Sequence, residues 1–183
     1  NNYLEAIKFL NKIDQKLLEN ELQFKLAYCY FKTDSLIDAS YYFSKIISSK
    51  SNFRDPSKYY FAHILYSLEN YDTALEYFLE LKNSEKFSSI VPYYIAQIYF
   101  IKKDYEKVIE LISNMTDNLV PSRYSEMNRL LAEAYFHIND YTNATIYFEN
   151  YINASDPLDY DYYLLGLSYY NISNYQNAIN NFI

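Results

Sequence analysis

Glycine is nearly missing from this chain, with one among 183 residues, and tryptophan is missing altogether. That scarcity agrees with helices joined by short turns. Strand signals are also lacking, because the aromatic runs fall on helical spacing and not on strict alternation. Cysteine occurs once, at Cys29, so no disulfide closes within the chain, and a structural thiol is the reading for it. The two histidines, His63 and His137, are too far apart in sequence to suggest a shared metal, and no HExxH, CxxC, GxSxG or glycine-rich phosphate loop is present. Acidic pairs such as Glu76/Glu80 and Asp159/Asp161 fit solvated helix faces or caps. No enzyme activity, metal or cofactor is expected. Positive charge is sparse: 16 Lys and Arg stand against 23 Asp and Glu, a net charge of −7 with no basic stripe. Nucleic-acid binding needs clustered cations to neutralise phosphates, so it is not expected. No apolar run approaches the roughly 18–20 residues of a membrane span, so no membrane insertion by this segment is expected either.

Aromatic residues are abundant, at 25 tyrosines and 12 phenylalanines, and their placement is periodic. An aromatic or leucine is followed three positions on by a small residue, and four after that by a large apolar one. The copies are Tyr3/Ala6/Leu10, Leu36/Ala39/Phe43, Tyr71/Ala74/Phe78, Tyr105/Val108/Ile112, Tyr141/Ala144/Phe148 and Tyr175/Ala178/Phe182. Successive copies start 33, 35, 34, 36 and 34 residues apart. A period near 34 indicates stacked two-helix units. Nine residues before each later copy lies another small residue, Ala27, Ala62, Ala96, Ala132 or Gly166, each preceded by a large apolar one. Short side chains let two antiparallel helices approach closely, and neighbouring Phe and Leu fill the remaining space. Immediately before each copy stands a capping residue, Asn2, Ser35, Asn70, Asp104, Asp140 or Asn174, whose side chain is expected to accept from a free N–H of the helix that starts there.

These residues resemble the tetratricopeptide repeat (TPR) family over essentially the whole chain. The family's tryptophan is replaced by Gln23, Lys58, Pro92, Asn128 and Tyr162, and its inter-unit proline is displaced to Pro56, Pro92, Pro121 and Pro157, where first-turn placement loses no hydrogen bond. The resemblance implies an all-α fold, a right-handed superhelical solenoid of antiparallel helix pairs. The spacing places eleven helices at about 1–13, 17–32, 35–49, 56–69, 71–82, 87–102, 104–115, 121–138, 140–152, 157–172 and 174–183. A single array over 1–183 is expected: a partial unit 1–16, full units 17–50, 51–84, 85–119 and 120–155, and an incomplete unit 156–183. The longest connections, at 48–55 and 83–87, are places where the stack is free to bend. Because the chain opens and closes on second helices, it reads as a fragment of a longer repeat protein.

In TPR arrays the first helices line a groove, and three registers face it. Carried onto this chain, the first holds Phe24, Tyr59, Tyr93, Arg129 and Tyr163. The second holds Tyr28, His63, Gln97, Glu133 and Leu167, and the third Phe31, Tyr66, Phe100, Phe136 and Tyr170. Tyr59, His63, Tyr93, Gln97, Arg129, Glu133 and Tyr163 are the candidate ligand-groove residues. Alanine at Tyr93 or Arg129 is expected to leave melting nearly unchanged. The clamp with which TPR cochaperones grip an acidic C-terminus needs Lys and Asn where this chain has Phe24, Tyr28, Tyr59 and His63, so that role is not implied. The resemblance points to a non-catalytic scaffold binding a protein or peptide. Composition resembles long TPR proteins of Bacteroidetes-type bacteria, which implies an envelope assembly, periplasmic or associated with the outer membrane. A glycan or peptidoglycan binder and an intracellular regulator sensing a short peptide are the alternatives.

Overall fold

The computed structural model describes residues 2–14, 18–115 and 121–182. Among these it shows eleven helices and no strand: α1 Asn2–Leu10, α2 Asn20–Lys32, α3 Leu36–Ile47, α4 Arg54–Ser67, α5 Tyr71–Leu81, α6 Val91–Ile101, α7 Tyr105–Ser113, α8 Pro121–His137, α9 Tyr141–Ala154, α10 Asp159–Asn171 and α11 Tyr175–Phe182. The number matches the expectation; some ends do not. Helix α6 starts at Val91 and not near 87, because Phe87 and Ser88 donate to the Ser84 carbonyl at 3.0 and 2.8 Å and turn the chain first. Pro92 then occupies the second helical position, where its missing N–H costs no bond. The chain divides into two compact units, residues 1–88 and 89–183.

Within each helix pair the connection is one repeated motif. Asp34 and Glu69 in the first unit, and Lys103, Asn139 and Ser173 in the second, have φ of 60–63°. The next residue's N–H reaches back to the carbonyl five residues earlier: Ser35 to Tyr30, Asn70 to Leu65, Asp104 to Tyr99, Asp140 to Tyr135 and Asn174 to Tyr169, each at 2.9 Å. This is the Schellman closure, which satisfies carbonyls left free at a helix C-terminus. Glycine is the usual residue at such a corner; here polar side chains hold a left-handed backbone.

Ser35, Asn70, Asp104, Asp140 and Asn174 stand just before their helices as expected, whereas Asn2 is already the first residue of α1; the chemistry of the caps differs. Asp140 accepts from the Asn143 N–H at 3.2 Å and Asn174 from the Asn177 N–H at 3.3 Å. Ser35, Asn70 and Asp104 make no such side-chain bond. Asp104 instead pairs with Lys107 at 2.6 Å.

Packing follows the small residues. Ala27, Ala62, Ala96 and Ala132 on first helices, and Ala39, Ala74, Val108 and Ala144 on second helices, have no exposed surface, and Phe43, Phe78 and Phe148 are as fully enclosed beside them. A Cβ on Gly166 would stand 2.5 Å from the Phe182 ring, so a larger residue there would have to push that ring aside. In both units a stacked tyrosine pair braces first helix against second: Tyr30 on Tyr42 at 5.8 Å, and Tyr135 on Tyr147 at 5.4 Å, each with planes 6° apart. Burying one such ring contributes roughly 1.5–3 kcal/mol.

Candidate ligand-binding surface

The residues of the three groove registers sit on first helices beside the enclosed alanines, turned by one or a few residues toward the open face. Unlike those alanines, none is buried; thirteen are half-buried, and Tyr163 and Tyr170 are exposed. Each unit carries its own set.

In residues 1–88 the set comes from α2 and α4, and the rings pack on one another. Phe24 stacks along Tyr28 at 6.5 Å. His63 meets Phe31 edge-on at 5.5 Å, and Tyr59 lies flat on Phe87 at 5.0 Å with planes 15° apart. At the centre is Tyr60, stacked on Phe43 at 5.4 Å and within 5.2–6.0 Å of Phe31, Tyr28 and Phe24. Burial raises the Tyr60 pKa, reinforced by Tyr28, and burial lowers that of His63, since both charged forms would lose solvation. Tyr60 was not among the sequence candidates. Its neighbour Tyr59 holds the groove register, and one step along a helix turns Tyr60 toward the seam with α2.

In residues 89–183 the surface is more polar. Gln97 donates from Nε2 to the Tyr93 hydroxyl at 2.7 Å. The Arg123 guanidinium lies 4.3 Å above the Tyr93 ring, a cation–π contact. Burial raises the Tyr93 pKa, with Glu126 adding to the shift and Arg123 opposing it. Arg129 meets two carboxylates through one atom. Its Nε donates to Asp161 Oδ1 at 2.8 Å and lies 3.3 Å from Glu133 Oε1. Asp161 is 0 % exposed, and its second oxygen accepts from the Leu158 N–H at 2.8 Å. The Glu133 pKa is raised by burial, opposed by Arg129 and reinforced by Asp161. Arg129 therefore joins α8 to α10, and truncation would leave an enclosed carboxylate without its cation, so the geometry argues that its removal lowers melting, against the expectation from the sequence.

Arg123 and Asp161 were also absent from the candidate list. Asp161 did carry a signal. The residue five before each small position is Leu22, Ser57, Val91, Met127 and Asp161, and the last four are buried. A charge in a register that is otherwise uncharged and enclosed calls for a partner.

The surface joins aromatic faces with an amide, a carboxylate and a guanidinium, a set suited to an extended chain with both apolar side chains and backbone amides. Among the described residues no three His, Cys, Asp or Glu side chains gather as a metal site, and no helix is long and apolar enough to cross a membrane.

No protein-family model matches the sequence, and no curated protein is significantly similar to it. Solved structures are similar. YrrB, described as a TPR protein with an unusual peptide-binding site, superposes with a TM-score of 0.75 at 11% identity, covering 99% of this chain and 89% of that one. The fold is that of the tetratricopeptide repeat. MamA from Desulfovibrio magneticus RS-1, residues 41 to the end, gives a TM-score of 0.74 at 13% identity over 89% of this chain and 90% of its own. A further MamA crystal structure gives 0.76 at 13%, over 89% and 87%. The TPR resemblance read from the six-fold pattern is thus borne out as a fold. At such identities the likeness is one of architecture alone.

Proposed function

We propose that this TPR chain is a non-catalytic scaffold that binds a peptide segment of a partner protein across its first-helix faces, in a bacterial envelope assembly. One observation carries the reading: the groove registers stay partly open on every first helix while the adjacent small residues are sealed. Half-open tyrosines offer large, rigid area with a hydroxyl at low entropic cost. Tyr59 and His63 are the proposed contacts in residues 1–88, and Tyr93, Gln97, Glu133 and Tyr163 those in residues 89–183, where Arg129 lies in the same register as Tyr93 while tied to Asp161. The peptide-binding site named for YrrB supports the class of ligand, and the compositional likeness to exported TPR proteins supports the setting. The division into repeats at 17–50, 51–84, 85–119 and 120–155 belongs to the same proposal.

The test is selection of a displayed random peptide library on the purified chain, followed by fluorescence anisotropy with the enriched peptides. Tyr163→Ala/Tyr170→Ala removes rings that are 50% and 58% exposed, so its melting should match wild type while affinity falls about tenfold or more, about 1.4 kcal/mol. Failure to enrich any peptide over a carrier protein, or equal affinity in a variant that melts normally, would sink the reading.

A further inference from the structure

A second surface, within residues 1–88, uses none of the groove residues. The α3–α4 connection with the start of α4, and the α5–α6 connection, flank an open cleft of about 520 Å³ lined by Lys50, Ser51, Asn52, Arg54, Ser84 and Lys86, with Asp55 and Glu85 also in the lining. Three of the chain's 16 basic residues thus meet in one cleft of a protein with net charge −7. Lys25, Lys58, Lys107, Arg123 and Arg129 each meet a carboxylate. Like several other basic residues, Lys8 and Lys103 among them, the three cleft cations meet no carboxylate among the described residues, although two carboxylates line the same cleft.

The frame that carries these cations is fixed by its own hydrogen bonds. Ser49 Oγ donates to Ser51 Oγ at 3.0 Å, and Ser51 Oγ accepts from the Phe53 N–H at 3.3 Å. On the opposite wall the Ser84 carbonyl accepts from both Phe87 and Ser88. Three cations against two carboxylates leave the cleft with a local excess of one positive charge. Its neutral lining adds hydroxyl and amide donors from Ser51, Ser84 and Asn52.

We propose that this cleft binds a phosphate group. The number of donors decides between oxyanions: a guanidinium fork, two ammonium groups and neutral donors match three terminal oxygens, whereas a carboxylate offers two. The site is independent of the groove, and its test needs no peptide from the library selection.

Isothermal titration at pH 7.5 and moderate salt would use two probes, inorganic phosphate and a doubly capped phosphoserine. Three proteins are compared: wild type, Arg54→Gln/Lys86→Gln, and the control Lys8→Gln/Lys103→Gln, which removes the same charge elsewhere. Saturable binding to wild type and the control, weakened tenfold or more in the cleft variant, is the expected result. Preference for inorganic phosphate identifies the free ion as the source; preference for phosphoserine identifies a phosphate ester. If neither probe saturates, or both variants weaken equally, the proposal is overturned, because bulk charge then explains any response.

Discussion

Removing the Arg129 guanidinium isolates one carboxylate. Asp161 is 0 % exposed, and in Arg129→Ala its only remaining partner from this network is the Leu158 N–H. Breaking a buried pair by deleting one member costs about 3–5 kcal/mol. The Arg129 side chain is 36% exposed, so water already screens part of the attraction, and the lower end applies, about 3 kcal/mol. For a chain of this size each kcal/mol shifts the midpoint by roughly 2–4 °C, so a drop of about 6–12 °C is expected. Urea titration followed by far-ultraviolet circular dichroism measures the free energy, and hydrogen exchange should place the loss in α8 and α10. Asp161→Asn keeps an acceptor for the Leu158 N–H without the charge, so it completes a double-mutant cycle, with an expected coupling of at least about 1 kcal/mol. A loss under about 0.5 kcal/mol in Arg129→Ala, or no coupling in the cycle, would refute the strut and return Arg129 to the groove as a free cation.

Three other changes test the packing, the corners and the titration. Ala132 has no exposed surface in the cluster with Phe148, Leu165 and Ala178, so Ala132→Phe should cost about 1–3 kcal/mol by overpacking; an unaltered urea midpoint would refute the register. Lys103 sits at φ 60°, and Lys103→Gly should raise stability by roughly 0.5–1 kcal/mol, because relief of the left-handed strain exceeds the added entropy of the unfolded chain; a lower melting point would count against the corner. Burial holds His63 below its ordinary pKa of 6.5, so at pH below about 6.5 the unfolded state binds more protons and stability falls with acid. Glu133 is shifted upward from 4.5 and contributes the opposite slope, losing stability as pH rises through its raised folded value. His63→Gln should therefore flatten the stability difference between pH 5 and pH 8, and an unchanged slope would show that His63 is not its source.

Much of the fold was legible because close helix approach dictates residue size at fixed intervals. Ala96 and Ala132 mark a seam wherever the period places them, whatever the surrounding side chains. Helix starts were less legible, since the turns at 84–90 depend on which carbonyl the Phe87 and Ser88 N–H groups choose. The caps were half legible: the position of Asp104 follows from the period, but the nearby Lys107 draws its carboxylate away from the backbone. On the candidate surface, periodicity located the faces of the first helices but not the partners of their charged groups, because partner choice depends on contacts between neighbouring repeats.

Those contacts become readable once the registers are compared with one another. Asp161 stands where the other units place Leu22, Ser57, Val91 and Met127, so its charge breaks a pattern that carries none elsewhere. Lys58 breaks another, buried in the register of Gln23, Pro92, Asn128 and Tyr162, and it reaches Glu80 on the paired helix α5. An enclosed charge needs an opposite charge within hydrogen-bond reach, and the short range of a side chain confines the search to the helices packed against it. For Asp161 that search ends on Arg129, the one cation in the groove registers. The strut and the ligand surface therefore draw on the same guanidinium. Asp161 and Glu133 both meet Arg129 at Nε, so a ligand carboxylate reaching its other N–H groups would meet a charge already offset by two carboxylates, which favours partners that approach this face through apolar side chains and backbone amides.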